Sequence, residues 1–153
     1  MIGVVSAALL TSAGAVNATP TKNTIYVDGT KVNGAAYMIN NNNYFKLRDV
    51  AAMVNGSTKQ FEVSWNETNK RIDLTTNKAY TVVGGEMALP SSAVKTAKES
   101  KASVFKDGNK ADYTGYNISD NNYYKLRDLC KDMNIGVKFD LATNRVDILT
   151  TVG

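Results

Sequence analysis

Polar and apolar residues alternate along Arg71-Ile72-Asp73-Leu74 and again along Arg145-Val146-Asp147-Ile148. Each segment therefore predicts a strand with one buried and one wet face. A different period rules the segments before them. Leu47, Val50, Ala51 and Val54 fall at i, i+3, i+4 and i+7, and Leu126, Leu129, Cys130 and Met133 repeat that spacing. Each set makes one apolar stripe on a helix. Thr24 to Val27 is β-rich and runs into Asp28-Gly29, a hairpin turn signal. The returning strand carries Tyr37 and Ile39 on one face, as Tyr116 and Ile118 do later. The Asn40 to Asn43 run ends it. A closing hairpin is expected from Phe61 to Trp65, a turn at Asn66 to Asn69, and Arg71 to Thr75. Its counterpart is Val137 to Phe139, Asp140 to Asn144, and Arg145 to Thr150.

The elements recur because the sequence does. Asn43-Tyr44-Phe45-Lys46-Leu47-Arg48-Asp49 returns as Asn122-Tyr123-Tyr124-Lys125-Leu126-Arg127-Asp128, an offset of 79 that also links Asp28-Gly29 to Asp107-Gly108. Past the helix the offset drops to 74, so the first copy carries five extra residues in a surface loop around Gly56 to Glu62. Each copy is read as one supersecondary unit. The predicted fold class is α+β: two tandem ββαββ repeats, each a small antiparallel sheet with one packed helix. The repeats are placed at 24–80 and 103–150. A linker at 81–102 is marked by Gly84-Gly85 and Pro90-Ser91-Ser92. Domains of about fifty residues are marginal alone, so some contact between the copies is expected. The expected core is Tyr37, Leu47, Val50 and Trp65 in the first copy, and Tyr116, Leu126, Leu129 and Phe139 in the second.

Composition narrows the function. The chain has 153 residues, 43% of them hydrophobic, and a net charge of +4. Lys and Arg are interleaved with Asp and Glu and form no basic run, which points to a solvated surface and away from nucleic acid. Ile2 to Ala15 is apolar and small, and Val16-Asn17-Ala18 has the pattern of a signal-peptidase site, although no basic residue precedes Ile2. We read 1–18 as a clipped secretory signal, with the mature chain starting near Thr19. The stretch is too short and too interrupted for a stable membrane span. Cys130 is the single cysteine, so no internal disulfide can form. Its repeat partner is Ala51, which predicts a buried, inert thiol. An exported chain without disulfides suits a bacterium.

Histidine is absent, which removes the commonest general base and transition-metal ligand. No Walker-type or dinucleotide-binding glycine motif occurs. Asp49 and Asp128 sit one turn into their helices, where a carboxylate favours the N-terminal dipole. Asp107, Asn109 and Asp112 lack the spacing of a calcium loop. No catalytic residue, metal ligand or cofactor is expected. The candidate binding residues are Tyr44, Lys46 and Arg48, with Tyr123, Lys125 and Arg127. The cations either brace a helix against a sheet carboxylate or face a ligand. The tyrosines either stack on sugar rings or plug the end of the core with the hydroxyl in water.

Tyr44-Phe45-Lys46-Leu47-Arg48 and Tyr123-Tyr124-Lys125-Leu126-Arg127 at the helix start, with Trp65-Asn66 and Phe139-Asp140 before a polar turn, resemble the copper amine oxidase N-terminal-like, or stalk, domain family. Gly84-Gly85-Glu86-Met87 resembles a linker between tandem copies. That family usually has Pro at the first helical turn, where Lys46 and Lys125 stand here. The resemblance implies an exported, noncatalytic module of Gram-positive bacteria, secreted or held at the cell surface. It would bind or space a cell-wall polymer, a glycan or another surface protein. The alternatives are an accessory fragment of a larger secreted carbohydrate-active or peptidase enzyme, and a soluble inhibitor or ligand carrier.

Overall fold

The computed structural model describes residues 15–151. The signal segment therefore lies outside the described residues except for Ala15 to Ala18. The first copy contributes β1 (Ala15–Pro20), β2 (Thr24–Val27), β3 (Thr30–Val32), β4 (Tyr37–Ile39), β5 (Asn42–Phe45), α1 (Leu47–Val54), β6 (Phe61–Asn66) and β7 (Arg71–Thr76). The second repeats the order as β8 (Lys95–Glu99), β9 (Val104–Lys106), β10 (Asn109–Ala111), β11 (Gly115–Ile118), β12 (Asn121–Lys125), α2 (Leu126–Met133), β13 (Gly136–Asp140) and β14 (Arg145–Leu149).

These strands correct the predicted fold class. The molecule is mostly β, and it is not two ββαββ repeats that each close a sheet around one helix. Six strands form a closed barrel in the order β11-β12-β5-β4-β1-β8, with every neighbouring pair antiparallel. Both copies supply three of its staves. The remaining strands form two four-stranded sheets, β10-β9-β7-β6 and β13-β14-β2-β3. In each sheet the Asp-Gly hairpin of one copy lies parallel to the last strand of the other: Ile25 opposes Val146, and Val104 opposes Ile72. A lone two-stranded hairpin is marginal in water. Here each gains a partner by crossing to the other copy.

The crossing is held the same way twice. The Asp28 carboxylate accepts the Thr150 backbone N–H at 2.8 Å and its hydroxyl at 2.5 Å. Asp107 accepts the corresponding groups of Thr76 at 3.0 and 2.7 Å. The Arg145 guanidinium lies 3.6 Å from the Tyr26 ring centre while paired with Asp147, and Arg71 lies 4.0 Å from that of Phe105 while paired with Asp73. The backbone permits this because Asp28-Gly29 and Asp107-Gly108 all adopt positive φ, as a type I′ turn requires.

The dyad relating the copies passes through the barrel. Phe45 opposes its own repeat equivalent Tyr124, and Asn17 opposes Thr96 at the same offset of 79. The repeat thus reaches back to Ala15, beyond the Thr24 boundary, and Lys95 to Glu99 of the expected linker is a barrel strand. Inside the barrel, Tyr37 packs edge-on against Tyr123 and Tyr44 against Tyr116, with Ala18, Ile39, Ala97 and Ile118 buried around them. The helical stripes Leu47, Val50, Ala51, Val54 and Leu126, Leu129, Cys130, Met133 are buried in a second, larger core with Ile25, Phe61, Leu74, Val104 and Ile148.

Candidate functional site

The helix starts build two clefts. The first has a volume of about 270 Å³ and is lined by Lys46, Leu47 and Arg48, by Trp65 and Ile72 of the β6–β7 hairpin, and by Asp120 to Asn122 from the other copy. The second, about 60 Å³, is lined by Lys125, Leu126 and Arg127, by Phe139 and Val146 of β13–β14, and by Asn41 to Asn43. The repeat offsets map one lining onto the other, Lys46 to Lys125, Trp65 to Phe139 and Asp120 to Asn41. Each cleft takes its helix and hairpin from one copy and its turn from the other. Those turns, Asn40-Asn41 and Ser119-Asp120, have both residues at positive φ, so the asparagine run reverses the chain within a hairpin instead of ending a strand.

Trp65 and Phe139 are not core residues. Trp65 is 53% exposed and Phe139 40%. They share a strand face with Val63 and Val137, but the hairpin overhangs the end of the core there. The Trp65 indole N–H donates to Glu67 at 2.8 Å, which fixes the ring and leaves its surface open. Tyr44 and Tyr123 have the opposite fate: they are buried inside the barrel, where neither can stack on a ligand. Burial pushes both phenols up to about 12. The residues able to stack are therefore Trp65 and Phe139, two members of the expected core.

The four candidate cations do line the clefts, two in each. They are not braced by carboxylates; among the described residues, none of Lys46, Arg48, Lys125 and Arg127 makes an ion pair. The Lys46 ammonium lies 5.7 Å from the ring centre of Tyr123, and the Arg48 guanidinium 5.9 Å from that of Tyr80. Tyr80 belongs to a strap between the copies. Its hydroxyl donates to Glu86 at 2.5 Å, and that bond, with the Val83 and Gly84 N–H groups, holds the Glu86 carboxyl down to about 2. The strap is pinned again where Asp49, buried beneath it, accepts the Met87 N–H at 2.9 Å; desolvation raises the Asp49 carboxyl above its usual range. Asp128 accepts the Thr114 N–H at 2.7 Å. Both aspartates thus serve as structural anchors.

Among the described residues no group of His, Cys, Asp and Glu is placed to hold a metal, and no helix is long and apolar enough to cross a membrane. Cys130 is fully buried, and desolvation raises its thiol to about 12. No family model, curated protein or solved structure matches the chain.

Proposed function

We propose that this chain is a noncatalytic binding module, of the stalk kind its helix-start motif resembles, which holds a surface glycan or cell-wall polymer in its two equivalent clefts. One observation carries the reading: an exposed aromatic ring, two cations and an amide-rich turn converge in each cleft. An aromatic face suits the apolar face of a sugar ring, and amide side chains offer both donors and acceptors to hydroxyls. Two weak sites on one rigid frame bind a long polymer far more tightly than either alone.

Export remains part of the proposal, with one change at the cleavage site. A mature end at Thr19 would discard Ala15 to Ala18, which pair with Lys98 to Lys95 and close the barrel. Removal before Val16, at the small residues Ala13-Gly14-Ala15, preserves most of that pairing.

Co-sedimentation with purified bacterial cell walls tests the function. The protein should pellet with walls at low salt. Trp65→Ala and Phe139→Ala should each weaken retention, and the double variant should abolish it while keeping the parent far-UV spectrum, since both side chains are exposed. Absence of pelleting by the parent protein at every salt concentration would reject wall binding and leave a passive spacer.

A further inference from the structure

The two clefts are built alike but do not carry the same charge. Asp120 stands in the Trp65 cleft where Asn41 stands in the Phe139 cleft. The first lining therefore holds two cations and one carboxylate, the second two cations and none. The arginines differ as well. Arg48 lies over Tyr80, whose hydroxyl is bonded to the Glu86 carboxylate. Arg127 is exposed with no ion pair or aromatic partner among the described residues. Size divides them further: about 270 Å³ beside Trp65 against about 60 Å³ beside Phe139. The larger space admits a ring; the smaller admits only a compact group.

One more polar group belongs to the smaller cleft. Asn43 donates its amide N–H to Asn23 at 2.9 Å, and its amide oxygen has no hydrogen-bond partner. The equivalent oxygen of Asn122 accepts from Ser100 at 2.9 Å and from Asn117 at 3.2 Å. The Asn43 oxygen is buried, so the groups the Phe139 cleft offers a ligand are its two unpaired cations, with no carboxylate in the lining.

Resting on the binding function proposed above, we infer that the clefts divide one ligand: the Phe139 cleft is an anion subsite for a phosphate or carboxylate group of a hydroxyl-bearing polymer, and the Trp65 cleft takes a neutral sugar ring. Arg127 supplies a planar fork that matches either anion, and Lys125 adds a point charge. The clefts sit at opposite ends of the β5–β12 pair. The strand between them, Asn42 to Phe45, spans roughly 10 Å at strand rise. The ligand is therefore an extended chain carrying charge and apolar ring faces at that spacing.

Calorimetric titration of the full chain with two probes tests the division. The probes are poly(glycerol phosphate) and a neutral N-acetylglucosamine oligomer; Trp65, the single tryptophan, reports its own cleft by fluorescence. Arg127→Ala and Asn41→Asp should each weaken poly(glycerol phosphate) at least tenfold and leave the neutral oligomer within twofold. Trp65→Ala should do the reverse, and Asp120→Asn should make the Trp65 cleft respond to the anionic probe. Polygalacturonate in place of poly(glycerol phosphate) separates carboxylate from phosphate; binding of either through Arg127 supports the assignment. If both probes bind but Arg127→Ala and Asn41→Asp leave the anionic one unchanged, the division is overturned and the binding function stands. If no probe binds, and the parent also fails to pellet with walls, both fall together.

Discussion

Truncating Asp28 and Asp107 tests the exchange of hairpins most sharply, because the two residues do the same work in different surroundings. Each carboxylate accepts a backbone N–H and a hydroxyl from one threonine of the opposite copy. Each stands at positive φ, 49° and 51°, so Asp→Ala adds the same backbone strain to both, about 1 kcal/mol. The threonines differ. Thr150 is 5% exposed, so its stranded N–H pays desolvation, about 1–3 kcal/mol. Thr76 is only partly buried, and water replaces the lost acceptor at a cost nearer 0.5–1 kcal/mol. Asp28→Ala should therefore cost about 3 kcal/mol and Asp107→Ala about 2. At about 2–4 °C per kcal/mol for a chain of this size, their midpoints should differ by roughly 3 °C. Calorimetry or urea unfolding measures the gap, with Asp28→Asn as the control that keeps an acceptor and tolerates positive φ. The threonine bonds also depress both carboxyls, so this stabilisation is present above the ordinary Asp range and is lost as pH falls through the lower folded values. Equal losses for the two Ala variants, or none, would refute the reasoning.

Gly115→Ala should destabilise by about 1–3 kcal/mol, read by urea unfolding, since a Cβ there would stand 2.6 Å from the Tyr124 ring. Tyr44 and Tyr123 titrate near 12 when folded against the usual value of 10, so the unfolded chain loses its protons first. Stability should be intact below pH 10 and fall between about pH 10 and 12, with phenolate absorbance rising together with unfolding. Ionisation of Tyr44 or Tyr123 at pH 10 in a folded chain, followed ring by ring by NMR, would contradict the barrel interior. Cys130 should resist thiol reagents in the native protein and react at once in denaturant.

Much of the local structure was legible in the sequence. Helical spacing marked the two stripes, and the offset of 79 fixed which residues are equivalent. Equivalence does not fix partnership. A duplicated sequence reads the same whether a hairpin pairs within its own copy or across to the other; the Asp28–Thr150 and Asp107–Thr76 bonds and the Arg145–Tyr26 and Arg71–Phe105 contacts record the choice. The cations of the clefts were also legible, from repetition alone. Their aromatic partners were not, because alternation tells which face Trp65 occupies and not where the core beneath it stops. The Asn40 to Asn43 run shows a related limit: its polarity predicts the end of a strand, whereas Asn40-Asn41 turns a hairpin that carries Tyr44 into the barrel. Strand β1 was hidden by its small residues, which serve equally as a barrel stave and as a signal-peptidase site.

Interleaving is the central claim, since neither cleft exists without both copies. Cutting the strap tests it directly. A protease site placed among the exposed residues Val82 to Gly85 would sever the chain between the copies while leaving every strand intact. After complete cleavage, size-exclusion chromatography with multi-angle light scattering should find the halves together at the mass of the parent, still pelleting with cell walls if the parent does, and separating only in denaturant. Two independently folded halves eluting apart under native conditions would contradict the account.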